Sequence, residues 1–478
     1  MGKFYITTTI PYVNASPHIG FALELIQADV LTRFHRDVLK DDVIFNTGTD
    51  EHGQKIYQKA AKEKKDPQKY VDEYAEKFIK LKTSLNLSYT NFIRTTDPDH
   101  ASAAQEFWKR CEKNEDIYKK NYRIKYCVGC ELEKTDSELI DERCPMHPNL
   151  DLEIIEEENY FFRFSKYQDN LLEFYKNNPD FVVPNFRFNE IKEFVKGGLN
   201  DFSISRLKEK MPWGVPVPGD NRHIMYVWFD ALVNYISTLG WPGNEKKFSD
   251  FWPGIQIAGK DNLRQQSAMW QAMLFSAGLP NTKQIIIHGF ITSNGQKMSK
   301  SLGNVIDPFE MVKKYGTDAL RYFLLKEIPP FEDGDFTVDK FIKTYNADLA
   351  NGLGNLVARV AKLAERSGLG NLQIKEDSTT NNVNSLIERF EFNKALEFIF
   401  TYVSGLDKWI NNERPWQKTG SEQKKTLGKI IIGIESGESI LAIANLLKPF
   451  LPKTAEIIEK QFTAPKIVSQ KTLFPRIV

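Results

Sequence analysis

Three cysteines and one histidine form two short pairs whose spacing suits a bound metal ion. Two residues separate Cys127 from Cys130 and Cys144 from His147, and thirteen residues lie between the two pairs. Two such pairs, each a corner of the metal site, supply the four ligands of tetrahedral zinc. No coordination position then remains open for catalysis. A redox-active cysteine pair is the alternative, but it leaves the matching Cys–His pair unexplained. The spacing predicts one structural zinc ion.

A second candidate site lies in "IPYVNASPHIGFALELIQAD", residues 10–29. Ser16 and Pro17 are residue types that favour the start of a helix, so His18 would lie in the first turn. Free backbone N–H groups there attract anions, and Gly20 allows a ligand to come close. The chemistry that this pattern suits is phosphate binding. A capped helix that carries an exposed histidine is the alternative.

A third candidate is the lysine-rich stretch "NGQKMSKSLGNVIDP", residues 294–308. Asn294 and Gly295 predict a tight turn, and Lys297 and Lys300 follow it three residues apart. Two lysines beside a turn can neutralise the charge that grows on a departing polyphosphate. A solvated basic loop is the simpler alternative for a short run of this kind.

The elements that must position these residues alternate between short apolar strands and longer helical patterns. This alternation predicts βαβ units and an α/β fold with a parallel sheet. Residues 115–223 are richer in Cys, Gly, Pro and acidic residues and interrupt the alternation, and the chain after about residue 345 is wholly helical. We therefore expect a split sheet domain at 1–114 and 224–290, an insertion with a zinc knuckle at 115–223, the lysine loop and following region at 291–345, and an all-α domain at 346–478.

The bulk composition excludes several classes of protein. Lys and Arg (64) nearly balance Asp and Glu (63), so a nucleic acid would have to be bound by local basic patches. The N-terminus lacks the pattern of a signal peptide, and Glu435 and Glu438 interrupt the most apolar run. Four cysteines without an export signal indicate a reducing compartment. We expect a cytoplasmic protein without a membrane span.

Four stretches together resemble the methionyl-tRNA synthetase family of class I aminoacyl-tRNA synthetases. They are "TTIPYVNASPHIGFALELIQADV", "TGTDEHG", "YVWFDALVNYI" and "KMSKSLGNVIDP", and the resemblance extends over residues 4–450. It implies a Rossmann-like catalytic domain with a zinc-knuckle insertion, followed by a helical-bundle anticodon-binding domain. The implied reaction joins L-methionine to ATP as methionyl-adenylate and then transfers the methionyl group to the 3′ end of tRNA-Met. The absence of an appended module after the helical domain predicts a monomer.

The resemblance also implies which residues bind ATP, together with Mg²⁺. Catalysis would fall to His18, Gly20, Lys297 and Lys300. The full set implied to contact ATP is Pro11, Asn14, His18, Gly20, Phe21, Glu24, Gly259, Asp261, His288, Gly289, Lys297, Met298, Ser299, Lys300 and Ser301. The family motif ends in a second histidine where this chain has Phe21, which cannot donate a hydrogen bond.

A methionine pocket needs an apolar, polarisable slot and a carboxylate for the ammonium group, and sulfur packs well against aromatic rings. The residues that the resemblance assigns to it are Ile10, Tyr12, Asp50, Trp228, Leu232, Tyr235, Asn262 and Gln266. Asp50 would bind the α-amino group. Asn262 and Gln266 stand where some relatives have an apolar residue and a histidine. Without the resemblance, the aromatic residues are more typical of a protein core than of a binding pocket.

The helical C-terminal part carries a candidate RNA-binding face. Asn351, Asn355 and Arg359 recur every four residues, beside a predicted apolar stripe, and so share one flank of a helix. The stretch "NADLANGLGNLVARV" resembles the anticodon-reading helix of the family, and "NNERPW" resembles the segment with its stacking residue, Trp416. Single-stranded RNA is read by aromatic stacking and by hydrogen bonds to base edges. The implied partner is tRNA-Met with the anticodon CAU.

Two other functions remain open on the sequence alone. The chain could be another class I aminoacyl-tRNA synthetase, which a screen of amino-acid-dependent exchange between ATP and pyrophosphate would reveal. It could also be a catalytically silent relative that binds RNA. Phe21 slightly favours the silent relative, whereas the intact lysine stretch disfavours it.

Overall fold

The computed structural model describes residues 1–134, 136–298, 303–372, 381–433 and 438–477. The chain divides into two compact units. The first unit comprises Met1–Pro17, Asp42–Lys80 and Tyr89–Ile287, and the second comprises His18–Asp41, Leu81–Ser88 and His288–Val478.

Sixteen strands are formed within the described residues. They are β1 (Lys3–Thr8), β2 (Asp42–Thr49), β3 (Asn91–Arg94), β4 (Ile117–Cys127), β5 (Leu132–Lys134), β6 (Glu153–Phe162), β7 (Val182–Val183), β8 (Phe202–Ser203), β9 (Ser205–Leu207), β10 (Pro216–Val217), β11 (Asp220–Met225), β12 (Ile255–Gly259), β13 (Gln284–His288), β14 (Ile291–Ser293), β15 (Gln296–Lys297) and β16 (Gly334–Phe336).

The α-helices follow the same order along the chain. They are α1 (Ile19–Arg33), α2 (Gln54–Lys62), α3 (Pro67–Ser84), α4 (Pro98–Lys113), α5 (Gln168–Asn177), α6 (Asn185–Lys196), α7 (Val227–Ala231), α8 (Asn234–Ser237), α9 (Glu245–Phe251), α10 (Trp270–Ala277), α11 (Pro308–Tyr315), α12 (Thr317–Lys326), α13 (Val338–Thr344), α14 (Asn355–Ser367), α15 (Asn381–Glu388), α16 (Phe392–Glu413), α17 (Gly420–Ile432), α18 (Ile440–Leu447) and α19 (Pro452–Phe462). Residues Tyr345–Gly354, directly before α14, are π-helical.

A six-stranded sheet in the order β3-β2-β1-β12-β13-β7 organises the first unit. The pairs β1–β2, β1–β12, β2–β3 and β7–β13 are all parallel, which confirms the predicted α/β fold. On one side β1 pairs with β2, which follows it early in the chain. On the other side it pairs with β12, which lies about 250 residues later. Parallel strands of this kind present their carboxyl ends at one edge, where ligands bind in such folds.

The insertion forms its own antiparallel sheet in the order β5-β4-β6-β8. β4 and β6 pair from Ile117↔Phe162 to Tyr126↔Glu153 as a long two-stranded arm. β4 ends at Cys127, so the arm carries the first predicted zinc ligand at its tip. At the base of the arm, Trp108 of α4 packs edge-to-face on Tyr160 of β6, with ring centroids 5.3 Å apart. This packing fixes the arm on the apolar core of the first unit.

A buried arginine joins elements that are distant in the sequence of the second unit. Arg321 of α12 is fully buried and forms an ion pair with Asp29 of α1 at 2.9 Å. Its remaining N–H groups donate to the carbonyl oxygens of Phe450, Leu85 and Pro449 at 2.8–3.1 Å. Burial alone would raise the pKa of Asp29, but the neighbouring guanidinium groups, Arg321 first, lower it. Every charge in this cluster is therefore compensated.

Two local features differ from the sequence analysis. The short parallel strand β3, which lies between α3 and α4, was not identified from the sequence. Its four residues, "NFIR", are too few to show an alternating pattern. The predicted helix start at Ser16 is also displaced, because α1 begins at Ile19 with His18 as the capping residue.

No helix within the described ranges is both long enough and apolar enough to cross a membrane.

Replacing the buried arginine tests how far this cluster stabilises the second unit. We expect Arg321→Met to lower the free energy of unfolding by about 3–5 kcal/mol, because it removes one of the two guanidinium partners of the buried Asp29 carboxylate and leaves three carbonyl oxygens without their donor. Urea denaturation measures the loss. Arg389, which pairs with Glu391 but is 60% exposed, supplies the matched control. Arg389→Met should change stability by less than about 0.5 kcal/mol. Equal effects of the two substitutions would contradict the role given to Arg321.

Candidate functional site

The four predicted metal ligands converge at the tip of the β4–β6 arm. The Cys130 Sγ lies 3.4 Å from the Cys144 Sγ and 3.2 Å from the His147 Nδ1, and the Cys127 Sγ lies 3.8 Å from the same nitrogen. All four ligand atoms lie within 4.8 Å of one another. Tetrahedral zinc, with sulfur at ~2.3 Å and nitrogen at ~2.0–2.1 Å, sets its ligand atoms about 3.5–3.8 Å apart. The donor set and its spacing fit zinc.

The local backbone keeps these ligands close together. His147 N donates to Cys144 O, which closes the second corner as a turn. A Cβ atom on Gly129 would lie 2.5 Å from the His147 ring, so only glycine fits there. Cys111, the remaining cysteine, is buried in the core of the first unit, away from the cluster.

Two of the predicted methionine-binding aromatics lie in one cluster of the first unit, whereas the third, Tyr235, belongs to the large apolar core of that unit. Tyr12 and Trp228 pack against a small buried group that contains Tyr126 and Tyr226. Among the described residues, the hydroxyl of Tyr12 and the Nε1 of Trp228 are buried without a hydrogen-bond partner. Buried polar atoms are normally paired, so these two are groups that a ligand could satisfy. The cluster thus combines polarisable aromatic rings with two buried polar atoms that have no partner among the described residues.

Asp50 lies beside this cluster because the pairing of β1 with β2 continues beyond both strands. Tyr12 and Asp50 form a parallel bridge, with Asp50 N donating to Pro11 O at 3.0 Å. The Asp50 side chain is buried and receives one long hydrogen bond, 3.5 Å from His52 N. Burial, and next the nearby charge of Asp230, raise the pKa of Asp50 well above its usual range. A ligand cation would relieve both effects.

Asp230 is a buried acid that the sequence pattern did not single out. Its two carboxylate oxygens contact His52 at 2.6 Å and His100 at 3.0 Å, and His100 also contacts the Ser237 hydroxyl at 2.9 Å. Burial would raise the pKa of Asp230, but the two histidines lower it to about 2. The network ties the helix that carries Trp228 to the loop after Asp50. His100 and His52 lie 130 and 178 residues before Asp230 in the sequence, so no local spacing could reveal this network.

The other four residues predicted to bind methionine do not share one environment. Gln266 Nε2 donates to the Tyr235 hydroxyl at 2.6 Å, while its Oε1 is buried without a partner among the described residues. Leu232 is buried in the turn between α7, which carries Trp228, and α8, which carries Tyr235. Asn262 instead donates to its neighbour Asp261 at 3.2 Å. Ile10 is half-buried, between β1 and Tyr12.

In the second unit, His18 caps the helix that the sequence predicted. Its Nδ1 accepts a hydrogen bond from Gly20 N at 3.1 Å, which folds the ring over the first turn of α1. A Cβ atom on Gly20 would lie 2.9 Å from the His18 ring, so this contact requires glycine. Ser16 therefore does not cap the helix. Phe21, the next residue, is buried and continues the apolar face of α1.

Other predicted nucleotide-binding residues also meet in the second unit. His288 Nε2 contacts the Glu24 carboxylate at 2.9 Å, and its Nδ1 contacts the Gly289 carbonyl at 2.7 Å. Both side chains are buried. A Cβ atom on Gly289 would lie 2.2 Å from the backbone of Glu332, which explains the glycine. Ile19 N donates to Ile306 O at 3.1 Å, so the start of α1 contacts the last part of the lysine stretch.

The lysine stretch begins with the predicted hairpin. Asn294 and Gly295 have φ values of 53° and 71°, and β14 and β15 pair on either side of them. These left-handed values are those of the turn that an Asn-Gly pair favours. Lys297 is exposed, with its amine 5.9 Å from the Phe290 ring, and Met298 follows it. Ser299, Lys300 and Ser301 lie outside the described residues.

Four further residues predicted to contact ATP belong to the first unit. Gly259 is the last residue of β12, and Asp261 is exposed directly after it. Asn14 O accepts a hydrogen bond from the Lys59 amine at 2.6 Å. Pro11 lies at the bridge between Tyr12 and Asp50 described above.

The predicted anticodon-reading residues share one face of the second unit. Arg359 stacks on the ring of Trp416, with its Cζ atom 4.7 Å from the ring centroid. Its guanidinium also donates to Asp407 at 3.1 Å and to Asn411 at 2.7 Å, which fixes its plane. Trp416 is 44% exposed, a large fraction for an aromatic side chain. The arrangement offers a rigid stacking platform to solvent.

Asn351 and Asn355 line a groove whose other wall the sequence pattern missed. Their helix forms one side, and Thr472, Phe474 and Arg476 of the C-terminal segment form the other, around about 360 Å³. Phe474 is buried against Tyr345, with ring centroids 5.9 Å apart. The C-terminal segment has no helical or strand periodicity, so nothing in the sequence signals this placement.

Removing the metal tests the assignment of the knuckle. We expect Cys144→Ser to abolish stoichiometric zinc and to increase amide hydrogen exchange across residues 127–147, because this small segment has little apolar core of its own. Zinc analysis and exchange mass spectrometry measure the two effects. Cys111→Ala is the matched control and should retain zinc. A Cys144→Ser protein that keeps both its zinc and its protection would contradict the assignment.

Comparison with known proteins shows the same family along nearly the whole chain. The family model described as "tRNA synthetases class I (M)" matches residues 4–149 and 133–361. The Methionine--tRNA ligase of Thermotoga maritima is 41% identical over 489 residues, covering 98% of this chain and 77% of that protein. The Methionine--tRNA ligase of a Nostoc species is also 41% identical, with 96% and 89% covered.

Solved structures agree with the sequence comparisons. Mycobacterium tuberculosis methionyl-tRNA synthetase in complex with methionyl-adenylate superposes with a TM-score of 0.90 at 35% identity, covering 100% of this chain and 99% of that chain. Its apo form gives a TM-score of 0.83 at 32% identity, with the same coverage. The fold predicted from the sequence is thus confirmed. The chain belongs to the methionyl-tRNA synthetase family of class I aminoacyl-tRNA synthetases.

Proposed function

We propose that this chain activates L-methionine with ATP and transfers the methionyl group to tRNA-Met. The observation that carries the proposal is the buried Asp50 carboxylate beside the aromatic cluster of Tyr12 and Trp228. Methionine combines an ammonium group with an uncharged, polarisable thioether, and this site offers a partner for each. A charged amino-acid side chain would need an opposite charge beside the aromatic rings in addition to Asp50.

Activation is an in-line displacement in which the protein positions and stabilises the reactants. The methionine carboxylate attacks the α-phosphorus of ATP, methionyl-adenylate forms, and pyrophosphate leaves. No enzyme nucleophile is needed, so the rate depends on holding the two reactants in line and on neutralising the leaving group. Lys297 and Lys300 take the second role in our proposal. Mg²⁺ bound to ATP would supply further positive charge at the phosphates.

The start of α1 supplies a second electrostatic contribution. The positive end of the helix dipole stabilises nearby phosphate, while the N–H groups of Ile19 and Gly20 donate to Ile306 O and His18 Nδ1. His18 is exposed there and held by its bond to Gly20 N. The Glu24–His288 pair keeps the neighbouring Gly289 backbone in place, where we propose that adenine binds. Phe21 is buried, so we propose that it supports the helix and that His18 and the lysines bind phosphate without it.

We propose that the Arg359–Trp416 platform and the adjoining groove read the CAU anticodon. An unpaired base can stack on the exposed Trp416 ring, and the Asn351 and Asn355 amides can bond to base edges. Asn351, Asn355 and Arg359 follow at intervals of four residues, so they form one row along the helix. Base contacts of this kind fit a single-stranded loop rather than a duplex.

The remaining assignments follow from the family. One zinc ion would stabilise the knuckle and take no part in the chemistry, because its four protein ligands fill the coordination shell. The functional limits predicted for the domains, 1–114 with 224–290, 115–223, 291–345 and 346–478, and the monomeric state stay predictions.

The test measures exchange of pyrophosphate into ATP by the purified chain with each amino acid in turn, followed by charging of tRNA-Met. We expect exchange with methionine and charging of a transcript with the CAU anticodon. Trp416→Ala should keep exchange and lower kcat/KM for charging about 5- to 150-fold, the loss expected for one stacked base. Phe186, an exposed aromatic ring stacked by Arg187, provides the matched control, and Phe186→Ala should leave both activities unchanged.

Other outcomes would contradict particular parts of the proposal. Exchange that depends on a different amino acid would identify another class I aminoacyl-tRNA synthetase. No exchange with any amino acid, together with retained tRNA binding, would indicate a silent RNA-binding relative. A Trp416→Ala protein that charges tRNA normally would remove the anticodon role from the platform.

A further inference from the structure

We propose that Glu131, the residue that follows the second zinc ligand, is a positioning residue for the methionine pocket. Its carboxylate would couple the metal knuckle to the loop that carries Asp50. The inference rests on the proposed function, because it assumes that this pocket binds methionine. Nothing in the sequence motif of the knuckle requires an acidic residue at this position, since zinc needs only its four ligands.

The backbone turns Glu131 inward at a conformational cost. Its φ is +52°, a left-handed value that residues with a side chain adopt rarely. Its side chain is nevertheless buried, with only 1% of the residue exposed. Strained backbone persists where surrounding contacts over-determine it, and it is concentrated at functional sites. The strain therefore indicates that the buried carboxylate is held by strong contacts.

Those contacts join the knuckle to α2. Glu131 Oε1 accepts a hydrogen bond from the backbone N–H of Lys55 at 2.8 Å, and Lys55 lies in the first turn of α2. The Lys55 amine in turn donates to the Gly129 carbonyl within the knuckle at 3.1 Å. A carboxylate at the start of a helix satisfies a free N–H group and interacts favourably with the helix dipole. Glu131 thus acts as a cap supplied from a distant segment.

The helix that Glu131 caps begins four residues after Asp50. Gly53, between them, has a φ of +110°, and a Cβ atom there would lie 3.3 Å from Glu131 Oε1 and 3.7 Å from the Tyr12 ring. The carboxylate and the Tyr12 ring therefore pack on the same glycine. A shift of Glu131 would therefore move the loop that carries Asp50 and the ring of Tyr12.

The second carboxylate oxygen extends the connection to the aromatic cluster. It accepts a short hydrogen bond from the Tyr126 hydroxyl, and Tyr126 belongs to the buried group that supports Trp228. The Arg206 guanidinium lies over the Tyr126 ring at 5.1 Å and over the Tyr226 ring at 4.7 Å. One carboxylate thus contacts both walls of the pocket, the Asp50 loop and the aromatic group.

The experiment compares methionine and ATP binding in three variants that still contain zinc. Glu131→Ala should raise the KM for methionine about tenfold or more in pyrophosphate exchange and leave the KM for ATP within about twofold, because only the methionine walls lose their support. Glu131→Gln should recover most of the affinity, since its carbonyl still accepts from Lys55 N–H and its amide can donate to Tyr126. Asp136, an exposed knuckle acid, supplies the control Asp136→Ala, which should behave like the wild type.

A readout independent of activity follows the cap itself. We expect Glu131→Ala to accelerate amide hydrogen exchange in residues 53–57 while zinc analysis still finds stoichiometric metal. Unchanged methionine KM in Glu131→Ala would overturn the inference, and so would equal rises in the KM for methionine and ATP. Loss of zinc in both Glu131→Ala and Glu131→Gln would also overturn it. Absence of methionine-dependent exchange in the wild type would instead overturn the proposed function.

Discussion

The parallel pairing of β1 with β2 is the constraint on which the candidate methionine site depends. It brings the carboxyl ends of two strands together, and the Tyr12–Asp50 bridge carries the pairing past the end of the sheet. An aromatic ring and a carboxylate thereby become neighbours although 38 positions separate them in the sequence. Asp50 is buried, and from the described residues its carboxylate receives only the long hydrogen bond of His52 N, so burial raises its pKa. A ligand ammonium group would lower that pKa.

Features that depend on local chemistry were predictable from the sequence. The Cys127–Cys130 and Cys144–His147 corners are set by spacing alone, and the Asn294–Gly295 turn follows from the left-handed preference of its two residues. The parallel sheet also followed from alternation of strands and helices. Each ligand pair and the turn depend on a few consecutive residues, and the parallel sheet depends on the order of strands and helices along the chain, so no tertiary contact had to be known.

Features that depend on distant contacts were not predictable. His18 replaces Ser16 as the helix cap because its ring folds back on Gly20, a geometry that residue preferences do not encode. Asp230 contacts two histidines that lie more than 100 residues earlier in the sequence. Arg476 lines the groove of Asn351 and Asn355 only because the C-terminal segment packs beside the helix that carries them. Tertiary structure creates these sites, and the residues concerned carry no local pattern that distinguishes them from ordinary polar residues.

Binding of methionine and of its analogue without the amino group, 4-(methylthio)butanoate, to the wild type and to Asp50→Asn tests the central claim most directly. Calorimetry measures the four affinities. A charge-assisted hydrogen bond contributes about 1.5–3 kcal/mol, so the wild type should prefer methionine about 10- to 150-fold, and Asp50→Asn should lose most of that preference. An equal preference in both proteins would show that Asp50 does not bind the ammonium group, and would contradict the account of this pocket.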